Sequence, residues 1–316
     1  MAFETNITTI GEHAVIHLKD LSTNSFVEIY SFGALLNKFS VVHAGSLFNV
    51  VEGFSNVSEA LENITPYFRS AKLSPFVCRV NNGRFSFGEK EYQLTKYTTN
   101  GNAIHGLIYD ASFNVVDHEA NDEFGSVTLS YHYEKKEEGF PFTYTCEVEY
   151  KLEAGNLLTV STTITNTNEK LMPLTDGWHP YFTLGDTIDD YQIEFQSKEM
   201  LVFDDALIPT GSFTPYEAFG SLTNFGDTRF DNCFTLNFAE CQPLCVIRNP
   251  KKKIQIEFHP SQSYPYLQIY TPDSRKSIAI ENLSAAPDAF NNGLGLIVLS
   301  PKEHAVFSTK FKVKSI

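Results

Sequence analysis

Positive charge is scarce in this chain: 24 Lys and Arg stand against 38 Asp and Glu in 316 residues, a formal net charge of −14. Such a surface repels a phosphate backbone, and the densest basic cluster, Lys251 to Lys253, is a short turn patch beside Asn249 and Pro250. Nucleic acid is therefore not expected as a partner. Long apolar runs are missing too. No stretch approaches a membrane span, and MAFETNITTIGEHAVIH has neither a basic n-region nor an apolar h-region, so the expectation is a soluble, cytoplasmic protein. The five cysteines, at 78, 146, 233, 241 and 245, are an odd number in a long chain and suit reduced thiols better than a disulfide framework. Methionine (3) and tryptophan (1) are rare, whereas the chain holds 27 Phe and 15 Tyr, which favour a pleated surface over helical bundles.

What the chain does contain is short-range alternation. In LLTVSTTITNT, Leu158, Val160, Thr162 and Ile164 point one way and Thr159, Ser161 and Thr163 the other; KIQIEF repeats this with Ile254, Ile256 and Phe258. SVTLSYHY, TCEVEYKL, YLQIY, SIAIEN and VFSTKFKV are similar. Asn82-Gly83, Asn100-Gly101, Gly155-Asn156 and Pro272-Asp273 separate apolar runs as turns, the Asn-Gly pairs being strong hairpin signals because both residues tolerate positive φ. One short helix is expected after Asn56, with Glu59 completing a capping arrangement before Pro66 ends it. No repeat and no Gly/Ser/Pro linker divides the chain. The fold class is thus all-β, a large antiparallel β-sandwich with few short helices, read as one domain over residues 1–316.

Several chemistries lack their motif. There is no G-x-x-x-x-G-K-[ST], no G-x-S-x-G, and GLGL at Gly293 lacks the third glycine and following helix of a dinucleotide site. His13 and His17 lie four apart in a strand-like run, hence ~13 Å from one another, too far to share a metal. No metal or cofactor is expected. Six polar residues remain in places that need explaining: Arg79 before an Asn-Gly turn, His105 directly before Gly106, His179 in GWHPYF, Asp231 in RFDNCF, Gln268 in YLQIY and Glu281 in AIENLS. Alternation puts Gln268 and Glu281 opposite Leu267, Ile269, Ile278 and Ile280, so their face meets either water or a pocket. An arginine, two histidines, two carboxylates and a glutamine among aromatics are what a carbohydrate site needs, since hydroxyls want donors and acceptors and the apolar sugar face wants a ring. Pro180 holds His179 extended, and Trp178, Tyr181 and Phe182 are expected to pack around it or to meet the sugar.

Taken in order, GALLNKFSV, PFVCRVNNGRFSFGEKEYQL, NAIHGL, GNLLTVSTTITNTNEKLMPLTDGWHPYFTL, FDNCF and YLQIYTPDSRKSIAIENLSAAPDAFNNGLGLIVLSPKE cover nearly the whole chain, and they resemble the aldose 1-epimerase (galactose mutarotase) family. That resemblance implies the family's β-sandwich with an open groove, a free aldohexose as substrate, no cofactor, and a monomer or homodimer. By the same likeness His179 is the general acid that protonates the ring oxygen and Glu281 the general base at the anomeric hydroxyl. His105, Arg79, Asp231 and Gln268 would bind the sugar. Such a pair opens and recloses the ring with no other help, and the carboxylate is expected to draw the histidine's pKa upward. Two departures bear on which sugar is taken: Cys78 stands where an asparagine commonly precedes the arginine, and Phe113 stands where tryptophan is usual. A sugar-binding protein without catalysis and a hexose-6-phosphate 1-epimerase remain as alternatives, the latter with Arg84 and Arg248 as candidate phosphate ligands.

Overall fold

The computed structural model describes all 316 residues, and its elements are almost all antiparallel strands. Two large sheets carry the architecture. The first has nine strands, in the order 114–120, 124–134, 143–153, 157–166, 304–315, 254–260, 245–249, 192–195 and 223–224. The second has eight: 209–215, 197–203, 231–236, 266–270, 278–283, 177–179 and 71–73 follow one another, and 181–182 pairs with 278–283. A five-stranded meander over residues 3–49 packs beside them.

Period-two patterning builds the space between these sheets. Along Thr143–Glu153 the residues Tyr144, Cys146, Val148, Tyr150 and Leu152 are buried, and along the next strand Leu158, Val160, Thr162 and Ile164 are buried, as the alternation predicts. All but Thr162 join a continuous apolar cluster that runs from Phe3 to Val313 and takes in Leu267, Ile269, Ile278 and Ile280 from the second sheet. Ile254–Pro260 departs from simple alternation. Gln255 and Glu257 on its outer face are buried as well, because Arg248, Lys314 and His259 cover them in a polar ladder.

Turn chemistry is met at three of four expected places. Asn100-Gly101 and Gly155-Asn156 adopt positive φ and close the hairpins 98–104 and 143–166, and Pro272-Asp273 lies in the connection from 266–270 to 278–283. Asn82-Gly83 also has positive φ, but it does not close a hairpin. Arg79–Val80 pairs with Asn102–Ile104 while Arg84–Phe87 pairs with Lys90–Gln93, so this turn hands the chain from one sheet to another. The expected helix spans Val57–Asn63; Asn56 Oδ1 accepts the Glu59 N–H, and Glu59 reaches back to the Ser55 N–H. A second helix, Ala289–Asn292, is one turn long.

One charged pair is wholly enclosed. Lys72 and Asp176 have no exposed side-chain surface; the ammonium also donates to the Gly177 carbonyl at 3.2 Å, and Tyr264 Oη donates to the Asp176 carboxylate at 2.8 Å. Burial pushes the Asp176 pKa up, and Lys72 and Tyr264 work against that rise. Since removing one partner leaves the other charge buried and alone, Lys72→Ala should lower unfolding stability by ~3–5 kcal/mol. Replacing both by apolar residues, Lys72→Met with Asp176→Leu, should restore most of it in urea denaturation, and equal losses in the two variants would contradict this account.

Candidate active site

Register creates the site. Gly177 pairs with Leu283 and Tyr181 with Ala279, so His179 faces Glu281 across the same two strands. Between them the Ile280 N–H donates to the Pro180 carbonyl at 3.2 Å, and proline has no N–H to return the second bond. His179 and Glu281 therefore occupy the adjacent non-hydrogen-bonded position, where opposed side chains approach most closely. Their Nε2 and Oε1 atoms are 3.3 Å apart. Glu281 in turn pairs with Gln268, and Gln268 with Cys233, so one row crosses four strands. Gly177 lets the strands come this close: a Cβ there would stand 2.5 Å from a Leu283 methyl carbon.

The other groups arrive on irregular backbone. His105 and Gly106 both have left-handed φ (61° and 77°), and a Cβ on Gly106 would lie 2.4 Å from the Ser74 carbonyl oxygen, so only glycine fits. The His105 N–H donates to the Cys78 carbonyl at 2.8 Å, which fixes that bend. Its ring stands perpendicular to His179 with centroids 4.9 Å apart and leans on Phe68 at 4.7 Å. Arg79 reaches Asp231 (Nη2 to Oδ2, 3.9 Å), and the Gln268 amide donates to Asp231 Oδ1 at 2.8 Å.

These six predicted residues, Arg79, His105, His179, Asp231, Gln268 and Glu281, line one cavity of about 310 Å³, near the lower end of the ~300–1,000 Å³ usual for small-molecule sites. Four of their buried polar atoms have no partner: His105 Nδ1, His179 Nδ1, Gln268 Oε1 and Glu281 Oε2. Cys78 also lines the cavity, with φ 47°. Phe113 does not; it is buried in the main core against Tyr131. Arg84 and Arg248 are elsewhere too, each bonded to a glutamine on a neighbouring strand.

Of the aromatics around His179, only Tyr181 takes the expected place, stacked on the imidazole at 5.1 Å. Trp178 and Phe182 have the opposite parity and turn into the core, Trp178 against Tyr150 and Lys72 and Phe182 against Phe258 and Phe311. Sequence reasoning missed Pro66, Tyr67, Phe68, Thr99, Ile104 and Tyr270 as walls. The alternation in YLQIY could have found Tyr270, which shares a face with Gln268; the others come from loops and two- or three-residue strands without periodic signal.

Enclosure governs the charges. Burial holds the His179 pKa down at about 4, with Arg79 adding to the drop, and burial likewise pushes Glu281 well up, reinforced by Asp231 and opposed by Arg79. His105 is held far below its usual value by burial, His179 and Arg79, and Asp231 is raised by burial against the pull of Arg79 and Gln268. Burial thus outweighs the expected upward pull of the carboxylate on His179. Both shifts favour uncharged imidazole beside protonated carboxyl, and they widen the pH range over which the pair holds one proton.

An aldose 1-epimerase family model matches residues 15–312. The chain belongs to the aldose 1-epimerase family. The uncharacterized protein YihR of Escherichia coli (strain K12) is 28% identical over 244 residues, 74% of this chain and 76% of its own. Mouse galactose mutarotase is 27% identical over 262 residues, covering 78% of this chain and 74% of its own. Among solved structures, a galactose mutarotase-like protein from Clostridium acetobutylicum superposes with a TM-score of 0.86 over 100% of this chain and 99% of its own, at 17% identity, which speaks for the fold. In this member of the aldose 1-epimerase family, the His179 ring followed by NMR should titrate near 4, well below the ordinary 6.5. A midpoint at or above 6.5 would mean that Glu281, and not burial, sets its proton.

Proposed function

We propose that this protein is an aldose 1-epimerase that interconverts the α and β anomers of a free aldohexose such as galactose or glucose, with His179 as general acid and Glu281 as general base. The observation that carries this reading is the 3.3 Å approach of His179 and Glu281 at the wall of a sugar-sized cavity whose buried acceptors and ring nitrogens lack partners. Membership of the family and the likeness to mouse galactose mutarotase support it.

The chemistry follows from one proton shared by two groups. When the anomeric hydroxyl donates to Glu281, that hydrogen bond favours the carboxylate and moves the pair's proton onto His179. Glu281 then takes the hydroxyl proton as His179 gives its own to the ring oxygen; the C1–O5 bond breaks and C1 becomes an aldehyde. Rotation about C1–C2 and the reverse transfers close the ring on the other face. Protonated Glu281 beside neutral His179, the state left by ring opening, is the one that burial favours. Ring opening thus moves protons toward the preferred arrangement of the enclosure. His105, Arg79, Asp231 and Gln268 hold the hydroxyls, Arg79 through a planar fork that a lysine lacks. The reaction needs neither metal nor cofactor, and we read the 316 residues as one cytoplasmic domain.

A hexose 6-phosphate as sole substrate is less well supported, because Arg84 and Arg248 lie outside the cavity. Polarimetry of freshly dissolved α-glucose and α-galactose should reveal accelerated anomer exchange, reduced ~10²–10⁴-fold in Glu281→Gln and in His179→Asn. Folded protein that leaves the spontaneous rate of every common aldose unchanged, yet binds sugar saturably, would turn the reading to that of a binding protein.

A further inference from the structure

His105 opens the loop 105–113, which links the strands Asn102–Ile104 and Asn114–Ala120 and has no regular structure of its own. Rings place the imidazole at its start. Phe68 stands 4.7 Å behind it, Tyr109 meets Phe68 edge-on at 5.0 Å, and the Lys96 ammonium lies 4.6 Å from the centre of the Tyr109 ring. A line of contacts therefore runs from His179 through His105, Phe68 and Tyr109 to a lysine that does not line the sugar cavity. Lys96 also ties the backbone of the same loop, for its Nζ donates to the Leu107 carbonyl at 2.7 Å and pairs with Asp110. Both His105 and Phe68 hold left-handed backbone (φ 61° and 51°), which bulky residues keep only where their surroundings enforce it.

Three interactions meet at this one ammonium, and they differ in weight. The Asp110 pair is partly open to solvent, the two side chains being 26% and 39% exposed, and such a pair contributes little. The carbonyl bond matters more. Leu107 is buried, so without Lys96 its carbonyl would be left unpaired and the loop would have to shift to satisfy it. The cation on the Tyr109 ring adds a second hold from the same atom. Charge is not the means of action: burial, His179 and Arg79 lower the His105 pKa, and Lys96 reaches the imidazole only through contacts. We propose that Lys96 is a positioning residue for anomerisation, one that fixes His105 against the sugar by pinning the Leu107 carbonyl and the Tyr109 ring. The inference rests on the mutarotase reading of the cavity and adds to it a residue that touches neither the sugar nor the acid–base pair.

A double-mutant cycle tests this. Lys96→Met keeps the aliphatic stem and removes the donors; it should lower kcat/KM for glucose or galactose anomerisation about tenfold or more, because small displacements of a binding group are costly. In a His105→Asn background, where asparagine tolerates the left-handed backbone, the same substitution should cost less than about twofold, since both changes act through one contact. Asp110→Asn should stay within about twofold of the wild type. An equal cost of Lys96→Met in both backgrounds overturns the proposal, as does an Asp110→Asn loss as large as that of Lys96→Met. Lys96→Gln, also neutral, takes the place of the Met variant if that folds poorly. A second measurement needs no substrate. The His105 ring resonance in NMR, identified by its disappearance in His105→Asn, should move in Lys96→Met while those of His43 and His259, in other parts of the fold, stay in place. A stationary His105 signal, or all histidines shifting together, counts against the positioning role. If the signal moves but the wild type anomerises no aldose, the mutarotase reading falls and the placement of His105 by Lys96 stands. If aldoses are anomerised and Lys96→Met changes neither rate nor resonance, the proposal falls alone.

Discussion

The candidate site hangs on the register between residues 177–182 and Ile278–Leu283. Because side chains alternate along a strand, a slip of one residue would leave His179 and Glu281 on opposite faces of the sheet and bring Trp178 beside Glu281. Pro180 contributes by subtraction. It removes one ladder bond at its own position and so marks the neighbouring pair as the close, non-hydrogen-bonded one. The same row continues through Gln268, whose amide turns diagonally to Asp231, and Asp231 meets Arg79 from a different sheet. A few strand pairings thus convert residues 200 positions apart in sequence into one constellation.

Enclosure supplies the second half of the design. A histidine and a carboxylate at 3.3 Å in water would share an ordinary ion pair, yet here the loss of solvent outweighs their attraction and favours the uncharged form of each. On the mutarotase reading, the pair's proton rests on the group that must later accept one. A ligand able to donate into the Glu281 carboxyl redistributes that proton without any change in the total, which is why no outside acid, base or metal enters the scheme.

Strand character was legible in the sequence wherever alternation ran for five or more residues, as in LLTVSTTITNT and YLQIY, because burial of one face follows directly from a period of two. The placement of Gln268 and Glu281 on one polar face was legible for the same reason. Their adjacency to His179 was not, since it depends on pairing between segments a hundred residues apart, and only the family likeness brought those residues together. Turn signals gave φ correctly but not always connectivity: Asn82-Gly83 has the conformation of a hairpin turn and leads instead into another sheet. Nor does a sequence reveal how burial and pairing compete, so the direction of the His179 shift was misjudged. The wall of Tyr67, Phe68 and Thr99 was invisible because irregular backbone carries no period.

The single tryptophan, expected beside His179 or at the sugar and found turned into the core, acquires a different significance. Trp178 is covered, adjoins His179 in the chain, and has the Lys72 ammonium 4.3 Å from its ring centre. A charge held so near the indole couples its emission to the position of the Lys72–Asp176 pair, and that pair grips the carbonyl of Gly177 on the strand that carries His179. The protein therefore carries a built-in optical probe on the reverse side of the strand that presents His179, one whose signal arises from a single tryptophan.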